Sequence, residues 1–201
     1  MHTAAGPLGP FELHVPGRHN ILNATAAVAI GRQLEIPPGK IAEGLANFRG
    51  VDRRFQRCGA ARGVAVVDDY GHHPTEIRAT LSAARECCRG RIHVVFQPHR
   101  FSRTLDLFDE FSCAFADADT VTVLPIYAAS EDPIPGVTAE HLAERIRKER
   151  GEVNFTPEFA TAVSAVAANA RDGDMILTLG AGSVSQLAPQ ILAALEALPS
   201  Q

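Results

Sequence analysis

The chain has no Cys-x-x-Cys pair. Its four cysteines, Cys58, Cys87, Cys88 and Cys113, include one adjacent pair, a spacing that suggests neither a zinc site nor a disulfide framework, so reduced thiols are expected. Charge of one sign is not in excess either: 19 Lys and Arg against 23 Asp and Glu leave a net −4, with a pI near 6.0. This balance excludes a general electrostatic drive toward nucleic acid or anionic membranes, so any anionic ligand must be held locally. No apolar stretch approaches the roughly 20 residues of a membrane span. The opening Met-His-Thr-Ala-Ala-Gly-Pro lacks the charged and then apolar order of a secretory signal. There is no internal repeat and no low-complexity tract. The expectation is a soluble, cytoplasmic protein with no nucleic-acid or membrane partner.

What is present is 201 residues, 46% of them hydrophobic, enough for one good core or two small ones. Up to about Gly50 the pattern reads as a strand at Phe11 to Val15, an Ala-rich helix from about Asn20 to Leu34 and a second helix from about Pro38 to Asn47. That is too little to bury a core by itself. From Val51 onward strands alternate with helices. Apolar runs predict strands at Val64 to Asp68, Ile92 to Phe96, Thr120 to Leu124, Val153 to Phe155 and Met175 to Leu179. Amphipathic stretches predict helices at about 75–88, 104–116, 138–150, 158–170 and 184–198, the fourth of these opened by Thr156 as cap and Pro157 at the first position. The alternation predicts an α/β fold, a mostly parallel sheet with helices on both faces.

Three polar clusters follow strands of that sheet, where open α/β sheets bind ligands. The first is Val66 to Glu76, Val-Val-Asp-Asp-Tyr-Gly-His-His-Pro-Thr-Glu, with two carboxylates, a phenol and two imidazoles between a strand and a helix. Asp68 or Asp69 as a helix cap with Pro74 in the first turn is the plain structural alternative. A metal site built from Asp68, Asp69, His72 and His73, as in a small metal-dependent hydrolase, is another. The second cluster, Phe96 to Thr104, reads Phe-Gln-Pro-His-Arg-Phe-Ser-Arg-Thr. Its Arg100 and Arg103 share a face if helical, and their forked guanidiniums suit a carboxylate or phosphate; a solvated basic turn is the alternative. The third, Leu177 to Ser183, runs a strand into Gly180-Ala181-Gly182. As a dinucleotide fingerprint it fails, because Ser185 stands where a third glycine belongs, and a tight packing turn fits better.

Together with Pro16-Gly17-Arg18-His19-Asn20-Ile21-Leu22-Asn23-Ala24 and Asp52-Arg53-Arg54-Phe55, these stretches resemble the Mur ligases of peptidoglycan synthesis. The Tyr-Gly-His-His-Pro-Thr-Glu and Gln-Pro-His-Arg forms are most similar to the members that join L-alanine to UDP-N-acetylmuramate. The resemblance runs from about Phe11 to the C-terminus, and it implies a Rossmann-like C-terminal domain at 51–201 preceded, at 1–50, by a remnant of the family's central ATP-binding domain. ATP and Mg²⁺ serve the complete enzymes. Here no Gly-x-x-x-x-Gly-Lys-Ser/Thr occurs, since Gly39-Lys40-Ile41 lacks both the earlier glycine and the hydroxyl. The central domain's magnesium ligands and the UDP-binding domain are missing as well.

By the same resemblance, His19, Asn20 and Asn23 line the adenine end, with Asn20 as a plain helix cap the alternative. Arg54 reaches the ATP phosphates, and Asp69 binds the ribose or orients the nucleotide. Tyr70, His72, His99, Arg100 and Arg103 form the alanine pocket, an arginine pairs the substrate carboxylate, and either His72 or His99 accepts the ammonium proton. The implied role is the amino-acid-binding part of the ligase, inactive without the P-loop and UDP-binding domains, which would act in trans or in a parent chain. A stand-alone, non-catalytic binding module with the ligase fold is the alternative.

Overall fold

A computed structural model describes residues 2–3 and 6–199, with side chains from Leu8 onward apart from Arg150. The chain folds as two units, Met1–Val51 and Asp52–Gln201.

In the first unit a two-residue strand β1 (His2–Thr3) pairs antiparallel with β2 (Gly6–Pro7), and two helices follow, α1 (Arg18–Gln33) and α2 (Pro38–Asn47). Gly31 lets them approach: a Cβ there would lie 2.9 Å from the Cδ1 of Ile41. Phe11 to Val15 is not a strand. Its alternation lacks the pairing partner that would satisfy its backbone groups, and a strand without one is not stable. Asn20 does not cap α1, because that position belongs to Gly17; the Asn20 Nδ2 donates to the Pro16 carbonyl at 2.7 Å from inside the first turn.

The second unit is built on one six-stranded sheet. Its strands are β3 (Gln56–Ala61), β4 (Val64–Asp69), β5 (Ile92–Phe96), β6 (Thr120–Val123), β7 (Val153–Phe155) and β8 (Met175–Leu179). Their order is β3-β4-β8-β5-β6-β7, all parallel except β3, which pairs antiparallel with β4 at the edge. The helices are α3 (Pro74–Cys87), the short α4 (Phe101–Asp106) and α5 (Phe108–Ser112), then α6 (Ala139–Arg150), α7 (Phe159–Asn169) and α8 (Leu187–Ala197), the last preceded by a 3₁₀ turn at Ser183–Gln186. The expected single helix at 104–116 is thus two short ones, broken at Leu107. The N-cap position of α7 is held by Glu158, not Thr156, and its side chain makes no capping hydrogen bond.

Side chains alternate across the central strands with the period of two that a pleated sheet imposes. Val94, Phe96, Leu177 and Leu179 face one side with Ile77 and Leu81 of α3, Phe111 of α5 and Leu142 and Ile146 of α6. Val66, Val95 and Ile176 face the other with Val163 and Val166 of α7 and Leu187 and Ile191 of α8. With both faces covered, β5 and β8 are buried along their whole length, which is why they read as unbroken apolar runs. Each fully buried Leu, Ile, Val or Phe contributes roughly 1.5–3 kcal/mol. Among the described residues, no helix is long and apolar enough to cross a membrane.

Candidate functional site

Strand β8 is inserted between β4 and β5. The chain leaves β4 and β5 toward one face, through α3 and α5, and leaves β8 toward the other, through α8. Such a reversal opens a crevice at the carboxyl ends of the strands, and all three polar clusters lie along it.

The floor is a braced set of buried groups. Asp68, 3% exposed, accepts from Arg53 Nε at 3.1 Å and from Thr178 Oγ1 at 2.5 Å. The same arginine donates through Nη2 to the Gly180 carbonyl at 2.5 Å and lies with its guanidinium carbon 5.0 Å from the centre of the Tyr70 ring. Asp69 spends its two oxygens on backbone N–H groups, those of Phe55 and Gly71, each at 2.7 Å. Burial raises its pKa despite those donors. Gln97 Oε1 accepts from the Val184 N–H at 3.0 Å. Gly182 sits so close to this brace that a Cβ would lie 2.6 Å from Gln97 Oε1 and 2.7 Å from Tyr127 Cγ, so the Gly-Ala-Gly turn is a packing turn.

Above the floor four rings form a row. Tyr70 meets His72 edge-on at 5.2 Å, His72 meets His99 at 5.7 Å, and His99 stacks on Tyr127 at 5.5 Å with 18° between planes. His72 Nδ1 lies 3.0 Å from the Tyr70 carbonyl and 3.5 Å from Glu76 Oε2. Arg103 Nη1 reaches His99 Nδ1 at 3.1 Å and the His99 carbonyl at 3.2 Å. Burial first, then the charges of Arg103, His72 and Arg100, push the His99 pKa down.

The loops after β5 and β6 are zipped together. The Tyr127 N–H donates to the Pro98 carbonyl and the Arg100 N–H to the Tyr127 carbonyl, both at 2.8 Å. Glu131 accepts from the Ser102 N–H at 3.0 Å and from Ser102 Oγ at 2.6 Å. These bonds, with Arg100 3.7 Å away, lower its pKa. Arg100, Ala129 and Ser130 all have positive φ (73°, 49° and 70°), a strain that persists only where surrounding contacts over-determine it.

Of the expected site residues, Tyr70, His72, His99 and Arg103 come together. Arg100 is the N-cap of α4, and its half-exposed side chain points past the row toward Glu131, so the two arginines do not share a helical face. Arg54 is exposed, its guanidinium 5.9 Å from the Tyr70 ring and 3.9 Å from Glu76. Asp69 is sealed by Phe55 and Gly71. His19, Asn20 and Asn23 lie on α1 in the first unit, where Asn23 Nδ2 donates to Asn20 Oδ1 at 3.4 Å. Neither Asp68 nor Asp69 caps α3: His73 does, through Nδ1 to the Thr75 N–H at 3.3 Å, with Glu76 closing the box. These engagements leave the hydrolase reading without a ligand set, and among the described residues no three His, Cys, Asp or Glu side chains group as metal ligands do. Tyr127 and Glu131 had no signal in the sequence, since no motif marks the loop after β6.

The fold and its edge define a Rossmann-like α/β domain whose strand-end loops gather imidazoles and guanidiniums. The family described as Mur ligase, glutamate ligase domain, matches residues 53–182, and the chain belongs to that family. It is 57% identical over 194 residues to the UDP-N-acetylmuramate–L-alanine ligase of Acidobacterium capsulatum, covering 96% of this chain and 42% of that protein. It is 60% identical over 191 residues to the ligase of the same name from Koribacter versatilis, covering 94% and 41%. Among solved structures, the UDP-N-acetylmuramate-alanine ligase of Thermotoga maritima superimposes with a TM-score of 0.78 at 27% identity, over 96% of this chain and 41% of that one. A murein peptide ligase from Psychrobacter arcticus shares the fold, with a TM-score of 0.67 at 20% identity over 95% and 40% of the two chains. The chain spans about two fifths of the length of the curated relatives it matches.

Proposed function

We propose that this chain supplies the amino-acid-binding part of an ATP-dependent ligase that joins L-alanine to UDP-N-acetylmuramate, and that it does not turn over by itself. The observation that carries the reading is the gathering of His72, His99 and Arg103 beside Tyr70 at the switch point of the sheet. In this reading residues 1–50 belong to the central domain. The residues here fit ATP only in part. No P-loop is present, and Asp69 meets Phe55 and Gly71 where a ribose contact was expected. ATP would supply the phosphoryl group that activates the muramyl carboxylate.

The chain's own residues handle the amino acid. Arg103 or Arg100 pairs its carboxylate, a match of fork to fork. An imidazole takes a proton from its ammonium, which frees the nitrogen lone pair for attack on the activated carbonyl carbon as phosphate leaves with the C–O electron pair. Asp69 contributes by tying the Arg53–Phe55 turn to the Tyr70–His72 loop, which holds Arg54 at the rim.

The test is phosphate release from ATP with UDP-N-acetylmuramate, L-alanine and Mg²⁺, by the chain alone and mixed with separately expressed N-terminal and central domains of a relative. Alanine-dependent release only in the mixture is the expected result. Release in neither would leave a binding module without turnover, and release by the chain alone would overturn the dependence on other domains.

A further inference from the structure

The two histidines of the row are held by chemically opposite neighbours. The atoms facing His72 Nδ1, the Tyr70 carbonyl at 3.0 Å and Glu76 Oε2 at 3.5 Å, only accept hydrogen bonds. Nδ1 therefore carries the hydrogen, and Nε2 keeps its lone pair. The atom facing His99 Nδ1 is Arg103 Nη1 at 3.1 Å. A guanidinium only donates, so here Nδ1 is bare and Nε2 carries the hydrogen. With their ring centres 5.7 Å apart, the pair offers one acceptor and one donor.

Glu76 holds His72 by its backbone as well as facing its ring. Its Oε2 accepts from the His72 and His73 N–H groups at 3.0 and 3.2 Å, and its Oε1 faces Arg54 at 3.9 Å. As the reciprocal member of the α3 capping box, it cannot swing away without opening the first turn of the helix.

We propose that Glu76 is a positioning residue that, with the Tyr70 carbonyl, fixes His72 as the Nδ1–H tautomer and so makes His72 the proton acceptor of the site, while Arg103 locks His99 in the opposite tautomer as a hydrogen-bond donor. This deepens the ligase reading and rests on it for the identity of the amine. An N–H bond of the ammonium breaks, its electron pair stays on nitrogen, and the proton bonds to His72 Nε2. The resulting imidazolium lies beside the Glu76 carboxylate. Around His99 the balance is reversed: burial and the charges of Arg103, His72 and Arg100 outweigh the opposing charge of Glu131, whose carboxylate is bonded to Ser102.

The test is a long-range ¹H–¹⁵N correlation of the histidine-labelled chain at about pH 8, where imidazoles are neutral, assigned with His72→Gln and His99→Gln. His72 should appear as Nδ1–H and His99 as Nε2–H, and Glu76→Gln should move His72 toward mixed tautomers with helix content by circular dichroism retained. The same tautomer for both rings, or a His72 that ignores Glu76→Gln, overturns the proposal. In the complemented mixture, His72→Gln should lower kcat by roughly 10²–10⁴-fold near neutral pH, with a deficit that shrinks as rising pH deprotonates alanine. His99→Gln should chiefly raise the KM for alanine, and a larger kcat loss there than for His72→Gln overturns the assignment of roles. No phosphate release from the unsubstituted mixture counts against the ligase reading alone, because the tautomers are read without turnover.

Discussion

The arginine beside the expected phosphate contact has a different task from its neighbour. Arg53 is half-buried and holds three things at once: the Asp68 carboxylate, the Gly180 carbonyl and the Tyr70 ring. Replacing it by alanine leaves Asp68 buried with Thr178 as its one side-chain donor, the situation in which removing a partner costs more than the pair itself is worth. Arg53→Ala should destabilise the second unit by about 3 kcal/mol, read as a lower midpoint in urea. Arg54→Ala, whose side chain is exposed, should shift it by less than about 0.5 kcal/mol. The sequence presents the two arginines as equals. Only the register of β3 on β4, which brings Gln56 opposite Asp68, decides which one turns inward. The same limit applies to His73 and Glu131, whose partners are set by loop geometry, whereas the crowding of Tyr70, His72, His99 and Arg103 was legible because all four lie within a few residues of the carboxyl end of an apolar strand.

Carboxylates at the opposite, amino edge of the sheet predict how stability responds to acid. Burial by itself would raise the Asp174 pKa, but the N–H groups of Arg171 and Arg91 and the ring of His93 outweigh it and hold it below 3.8. Asp119 is lowered in the same way by the Ile92 N–H and Arg85. A carboxylate whose folded pKa is depressed adds stability that is complete above its unfolded pKa and lost as pH falls through the folded one. Thermal stability should therefore fall off below about pH 4. Asp174→Asn should flatten that acid limb in a series of melting curves. Asp69, raised by burial, runs the other way and relieves part of the loss.

At the scale of elements, the parallel strands were legible for a reason that also explains what was not. Strands covered on both faces are apolar at every position, as in Ile92–Phe96 and Met175–Leu179. The edge strand β3, Gln-Arg-Cys-Gly-Ala-Ala, has no such run, and a register shift between Arg57 and Gly59 interrupts even its alternation. Helix α8 was placed correctly, but the 3₁₀ turn ahead of it answers to packing: Val184 is fully buried and its N–H is taken by Gln97. That packing makes the Gly180–Ser183 turn part of the site's support. Gly182→Ala puts a Cβ against Gln97 and Tyr127, and Tyr127 is the ring on which His99 stacks. The substitution should cost about 1–3 kcal/mol as an overpacking change. In addition it should alter the ring environment of His99, seen as a change in its NMR signals, with those of His93, buried at the far edge, unmoved.

The whole molecule is uneven in how it buries apolar surface, and this sets where it opens. In the second unit both faces of the sheet are sealed, with Phe96, Phe111, Phe115, Leu177 and Ile191 at 0% exposure. In the first, the buried members of the helices are Val28, Gly31 and Ile41, while Ile21, Leu22, Ile30 and Leu34 are 57–67% exposed. A region of that size with so small a core recovers little of the entropy lost in ordering it. Backbone amides of α1 and α2 should therefore exchange with solvent through local opening at low free energy, and those of β4, β5 and β8 only through global unfolding. Native-state hydrogen exchange on this chain would show two tiers of protection divided near Val51. Adding the separately expressed central-domain portion of a relative should raise protection in residues 18–47 if, as proposed, that segment belongs to the central domain. Equal protection of both units in the chain alone would mean that the first unit draws its stability from a source other than its own core.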